Sequence, residues 1–235
     1  AAPLTRTEPN PPVRTKICGL TRPEEAIACL QAGADWIGLN FHPSSSRFVS
    51  HAQAREILDA VGDASRVVAL FVNRPTDEVG ATADALGIQI VQLHGDEPPG
   101  DLLTLGRFQL IRAFRLGSAA DIDAMERYRQ DARRMGREPD AVLVDAFVEG
   151  QAGGTGKSLD DSILGRIPPL PRLILAGGLT PENVAERAER ARPWMVDVAS
   201  GVESSPGRKD PAKVAHFIRA SRGGDPAVDI RNPRL

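Results

Sequence analysis

The stretch RVVALFVNRPTDEVGATADALGIQIVQL, Arg66 to Leu93, holds one complete structural period of this 235-residue chain. Its two ends, RVVALFV and IQIVQL, are short β-branched runs that read as strands, and PTDEVGATADALG between them reads as a helix stopped by Gly87. The same period recurs outward in both directions. Strand-like runs RTKIC, DWIGLNF, FQLIRAF, AVLVDAF, RLILAGG and WMVDVAS alternate with helical stretches such as TRPEEAIACLQAG, SHAQAREILDAVG and SAADIDAMERYRQDARRMG. Caps and prolines mark several expected helix starts (Thr21 to Glu25, Thr180 to Glu182, Asp210 with Pro211), and Gly33, Gly87 and Gly136 mark expected ends.

Strict strand–helix alternation demands parallel strands joined by right-handed crossovers. Eight such units suit a closed barrel, so the expected fold is a single-domain (β/α)8 TIM barrel of the α/β class over residues 13–220, with tails at 1–12 and 221–235. An open doubly wound sheet is the alternative; its GxGxxG fingerprint after the first strand is absent, the sequence there being CGLTRPEE.

Composition narrows the function. Hydrophobic residues make up 41% and charged residues 26%, an ordinary globular balance. A net charge of -2 gives no general attraction to polyanions, and 4% aromatics offer no base-stacking platform. Nucleic acid and membrane are therefore not expected as partners. No apolar run approaches a membrane span, and the polar start AAPLTRTEPNPP lacks a secretory core, so the expected location is cytoplasmic. Cys18 and Cys29 form no disulfide framework and have no metal-ligand spacing, and the four histidines His42, His51, His94 and His216 form no ligand cluster. No metal site is expected.

In such a barrel the chemistry sits at the C-terminal ends of the strands. Cys18 ends the first strand and Asp145 the sixth. Side-chain alternation puts Arg14, Lys16 and Cys18 on one face, and Leu143 with Asp145 opposite Val142 and Val144. If the aliphatic alternates pack on the helices, Cys18 and Asp145 both point into the barrel mouth as a thiol and a carboxyl able to serve as base and acid. Cys29, among Ala26, Ile27 and Leu30, reads as a small buried hydrophobe.

After the seventh and eighth strands, AGGLTPEN and ASGVES place Gly177, Gly178 and Gly201 where a phosphate is commonly bound by backbone N–H groups. GQAGGTGKS, Gly150 to Ser158, misses the GxxxxGK[ST] spacing by one residue, because Gln151 stands where glycine is required. It reads instead as a loop closing over a ligand on the phosphate side.

Together KICGLT (16–21), FHPSSSRFVS (41–50), VALFVN (68–73), VQLHGDE (91–97), RAF (112–114), LVDAF with GGTGKSLD (143–160), LILAGGLTPENV (173–184) and VDVASGVESSPGRKD (196–210) resemble the phosphoribosylanthranilate isomerase family of tryptophan biosynthesis. The resemblance implies a cofactor-free Amadori rearrangement of N-(5-phosphoribosyl)anthranilate, with Asp145 as general acid and Cys18 as general base. That chemistry asks for a protonated Asp145 and for thiolate character at Cys18, which Lys16 would favour. It also implies Arg47 at the anthranilate carboxylate and Gly154, Thr155, Gly156, Gly177, Gly178, Ser200 and Gly201 around the substrate. The loop after the second strand, which carries Arg47, departs from the commoner PKSPRYV pattern at Ser44, Ser46 and Phe48. His94 receives no catalytic role, and Asp197 is a candidate partner for Lys16. The expected assembly is a monomer or homodimer acting on a small phosphoribosyl substrate. Other sugar-phosphate barrels, a nucleotide-binding module using GGTGKS and a catalytically silent barrel are the competing readings.

Overall fold

The computed structural model describes residues 12–145, 161–170 and 172–223. Eight parallel strands close in sequence order: β1 (Arg14–Cys18), β2 (Trp36–Asn40), β3 (Val67–Phe71), β4 (Ile90–Leu93), β5 (Gln109–Arg115), β6 (Ala141–Asp145), β7 (Leu173–Ala176) and β8 (Met195–Val198), with β8 pairing back to β1. Outside them lie α1 (Pro23–Gln31), α2 (His51–Val61), α3 (Thr76–Leu86), α4 (Pro99–Thr104), α5 (Ala119–Arg134), α6 (Asp161–Leu164), α7 (Val184–Ala191) and α8 (Pro211–Ser221). Every strand named from the sequence is present, and the barrel is closed.

Local chemistry sets the helix ends. Ser50 and Gln53 form a reciprocal capping box on α2, Gly62 closes that helix at φ 70°, and Asp210 accepts from the backbone of Ala212 and Lys213 at the start of α8. Two expected starts differ. Thr21 does not cap α1; its hydroxyl donates to the Gly207 carbonyl, and Pro23 opens the helix. Helix α7 begins at Val184 rather than Thr180, because Asn183 turns back to accept from the Thr180 N–H and donate to the Gly178 carbonyl. A hairpin absent from the sequence reading follows β8: β9 (Glu203–Ser205) pairs with β10 (Arg208–Lys209) across a turn at Gly207, φ 77°. Its signal was the Pro206-Gly207 pair, a common turn dipeptide.

The core has two parts. Alternate strand residues pack outward with the helices, as Ile17, Leu39, Val144 and Val196 do. The inward set, Val68, Ile90, Ile111, Ala113, Ala141, Leu143, Ile174, Ala176 and Met195, fills the barrel, and Trp36 and Trp194 meet edge to face against it at 5.4 Å. Above this apolar layer the inward positions turn polar: Lys16 and Gln92 are fully buried and Asp197 nearly so. A barrel plugged at one end and polar toward the other places its chemistry at the C-terminal ends of the strands.

Candidate active site

The polar layer is built by strand register. Lys16 on β1 lies opposite Asp197 on β8, and its ammonium donates to Asp197 Oδ2 at 3.0 Å and to Gln92 Oε1 on β4 at 2.8 Å. Burial drives the Lys16 ammonium toward neutrality, but the Asp197 carboxylate and Cys18 outweigh it and hold the group above the ordinary lysine value. The pair expected from the sequence is present.

Cys18 stands two residues on, facing the same interior, with 7% of its surface exposed. Gly38 on β2 makes room for it: a Cβ there would lie 2.6 Å from Sγ. Burial pushes the Cys18 thiol up, and the charges of Lys16 and Lys209 only partly offset this. The expected thiolate character is thus corrected: Lys16 favours the thiolate, but desolvation is the larger effect.

Asp145 ends β6 on the inward parity of Leu143, and His94 Nε2 lies 3.7 Å from its Oδ2. The His94 ring continues inward, its Nδ1 2.8 Å from Gln92 Nε2. Arg112 fixes the backbone on both sides of this histidine by donating to the carbonyls of Leu93 and Gly95, at 3.3 and 2.9 Å. Glu97 accepts from the Gly95 and Asn73 N–H groups and lies 3.6 Å from Arg112.

Arg47 sits at the rim, where Nε and Nη2 fork onto the two Glu203 oxygens at 2.7 Å each. Lys209 donates to the same carboxylate at 2.8 Å and to the Ala199 carbonyl at 3.0 Å. Burial raises the Glu203 carboxyl, but Arg47 and Lys209 hydrogen bonds hold it below the ordinary glutamate range. This cluster joins the β2 loop to the β9–β10 hairpin. Neither Glu203 nor Lys209 was singled out in the sequence; Glu203 showed only as a charge just past the ASG turn, and Lys209 had no local signal linking it there.

The loops after β7 and β8 touch. Gly177 and Gly178 adopt φ of 91° and 62°, conformations that favour glycine, and Ser200–Val202 form one turn of 3-10 helix. A Cβ on Gly201 would sit 1.8 Å from the Leu179 carbonyl oxygen, so only glycine permits this approach. Gly177, Gly178, Ser200 and Gly201 are therefore brought together; Gly154, Thr155 and Gly156, with the loop read as a lid, lie outside the described residues. Among the described residues no group of three or more His, Cys, Asp or Glu could hold a metal ion, and no helix is long and apolar enough to cross a membrane.

Comparison with known proteins places the whole barrel in one family. The family model described as N-(5'phosphoribosyl)anthranilate (PRA) isomerase covers residues 15–220. N-(5'-phosphoribosyl)anthranilate isomerase of Geobacter sulfurreducens is 43% identical over 211 residues, 90% of this chain and 99% of the relative. The crystal structure of phosphoribosyl anthranilate isomerase from Thermotoga maritima superimposes with a TM-score of 0.79 at 34% identity, covering 90% of this chain and 99% of that one. A phosphoribosyl anthranilate isomerase in complex with reduced 1-(o-carboxyphenylamino)-1-deoxyribulose 5-phosphate gives 0.75 at 32% identity, with the same coverage of 90% and 99%. The chain belongs to the N-(5'-phosphoribosyl)anthranilate isomerase family.

Proposed function

We propose that Asp145 and Cys18 are the acid and base with which this chain carries out its family's reaction, the Amadori rearrangement of N-(5-phosphoribosyl)anthranilate to 1-(2-carboxyphenylamino)-1-deoxyribulose 5-phosphate in tryptophan biosynthesis. The observation that carries the assignment is their shared inward direction at the ends of β1 and β6, above a closed apolar plug.

Asp145 gives its proton to the ribose ring oxygen as the C1′–O bond breaks and the anthranilate nitrogen lone pair forms the Schiff base. The Cys18 thiolate then removes the C2′ proton, and that C–H electron pair becomes the C1′=C2′ bond of an enolamine. Protonation at C1′ and loss of the enol proton give the ketone, so the sequence is redox-neutral overall. Lys16 is the charge best placed to lower the cost of forming the Cys18 thiolate against burial.

Arg47, positioned by Glu203, is proposed to meet the anthranilate carboxylate, for which a guanidinium fork is suited. The backbone N–H groups around Gly177, Gly178, Ser200 and Gly201, with Gly154, Thr155 and Gly156, are proposed to hold the phosphate. The working unit is a cofactor-free monomer or homodimer in the cytoplasm, acting on a small phosphoribosyl substrate. The test is turnover by Cys18→Ser and Asp145→Asn across pH: folded variants with wild-type rates and profiles would remove the assignment.

A further inference from the structure

Gln92 is a fully buried amide at the centre of the barrel, and the proposed reaction gives it nothing to do. It has two named partners. Lys16 Nζ lies 2.8 Å from Oε1, and His94 Nδ1 lies 2.8 Å from Nε2. The ammonium can only donate, so the Gln92 carbonyl must face Lys16 and its NH2 must face the histidine. An amide N–H can only be accepted by an unprotonated ring nitrogen. Nδ1 therefore carries no proton, and a neutral imidazole then carries its single N–H at Nε2, the atom 3.7 Å from Asp145 Oδ2.

We propose that Gln92 is a positioning residue that fixes the tautomer of His94 so that this ring presents a donor, never an acceptor, to the carboxyl of Asp145. The inference rests on Asp145 being the general acid. In the opposite tautomer a bare Nε2 would face the acid and compete with the ribose oxygen for its proton. With Nε2–H in place, Oδ2 faces a donor rather than a competing base, and the carboxylate formed after transfer gains that donor. The 3.7 Å separation is longer than a hydrogen bond, and such contacts commonly tighten in the substrate complex. Arg112 pins the carbonyls on either side of His94, so the backbone is fixed and the Gln92 contact orients the ring.

The experiment is a long-range 1H–15N correlation spectrum of 15N-labelled protein at neutral pH, with His94→Gln to identify the ring, beside steady-state kinetics of Gln92→Glu and Gln92→Met. Glu keeps an acceptor for Lys16 but offers His94 no donor; Met is of similar size and offers neither. Wild type should show His94 protonated at Nε2 only. Gln92→Glu should carry a proton at Nδ1, and both variants should lose about 10- to 100-fold in kcat with KM changed by less than about threefold, the scale for partners that orient a functional histidine. A wild-type His94 protonated at Nδ1 overturns the inference whether or not the variants fold, and so does wild-type kcat in either folded variant. Full turnover by Asp145→Asn removes the acid, and with it the purpose of the device, while the His94 spectrum reports separately on whether Gln92 sets the tautomer.

Discussion

Lys16 and Asp197 occupy matched positions on β1 and β8, and their side chains meet inside the barrel at 3.0 Å with 0% and 7% of their surfaces exposed. A pair this buried is costly to break from one side, because the remaining charge has no water to turn to. Lys16→Met should lower unfolding free energy by about 3–5 kcal/mol in chemical denaturation. Lys16→Met with Asp197→Leu should recover most of that loss and none of the activity. A double variant no more stable than the single one would contradict this reading.

The Cys18 thiol is pushed up by burial, with Lys16 pulling the other way. Its alkylation by iodoacetamide, followed by mass spectrometry, should therefore accelerate only above the ordinary thiol range near pH ~8.5. Lys16→Met should move that rise higher still. Cys29, pushed up to about 12 by burial, should stay silent over the same range. A raised thiol contributes stability fully below its unfolded value, and the contribution is lost as pH climbs through the folded one. Half-maximal alkylation of Cys18 at or below pH 7 would refute the balance described.

Two glycines test the packing of the site. At Gly38 a methyl group would meet Cys18 Sγ at 2.6 Å and the Cys18 Cα at 3.2 Å, so Gly38→Ala should displace the thiol and reduce kcat by about 10-fold or more. At Gly201 it would meet the Leu179 carbonyl at 1.8 Å, so Gly201→Ala should part the two proposed phosphate loops, raise KM and cost about 1–3 kcal/mol of stability. Unchanged kinetics in either folded variant would show that the positions are not constrained in this way.

Glu203 is held low by Arg47 and Lys209 against the upward pull of burial. Such a carboxylate contributes stability above its unfolded value near ~4.3, and the contribution disappears as pH falls through its lower folded value. Wild type should exceed Glu203→Gln in denaturation midpoint at pH 7, and the gap should narrow progressively below pH ~4. A gap of the same size at low pH would contradict the ionised cluster.

Much of this was legible because strand and helix periods differ so plainly. The eight strands follow from alternation, and the inward direction of Cys18 and Asp145 follows once the aliphatic alternates are set against the helices, where Ile17 and Val144 lie. What stayed hidden was set by particular side-chain partners, distant or near. Arg47 and Glu203 are 156 residues apart, and no local pattern joins them. Gln92 lay inside the strand-like run IQIVQL, although a polar residue on the parity of Ile90 was a usable signal. The start of α7 was missed because the Asn183 side chain competes with the helix for the Gly178 and Thr180 backbone.

The most direct measurement is the loss of N-(5-phosphoribosyl)anthranilate, generated in situ, on adding wild-type protein or its Cys18→Ala and Asp145→Ala variants without metal or cofactor. The predicted result is rapid turnover by wild type and a drop of about 10²- to 10⁴-fold in kcat for each variant, with the fold retained by circular dichroism. Wild-type turnover in either variant would contradict the acid and base assigned here.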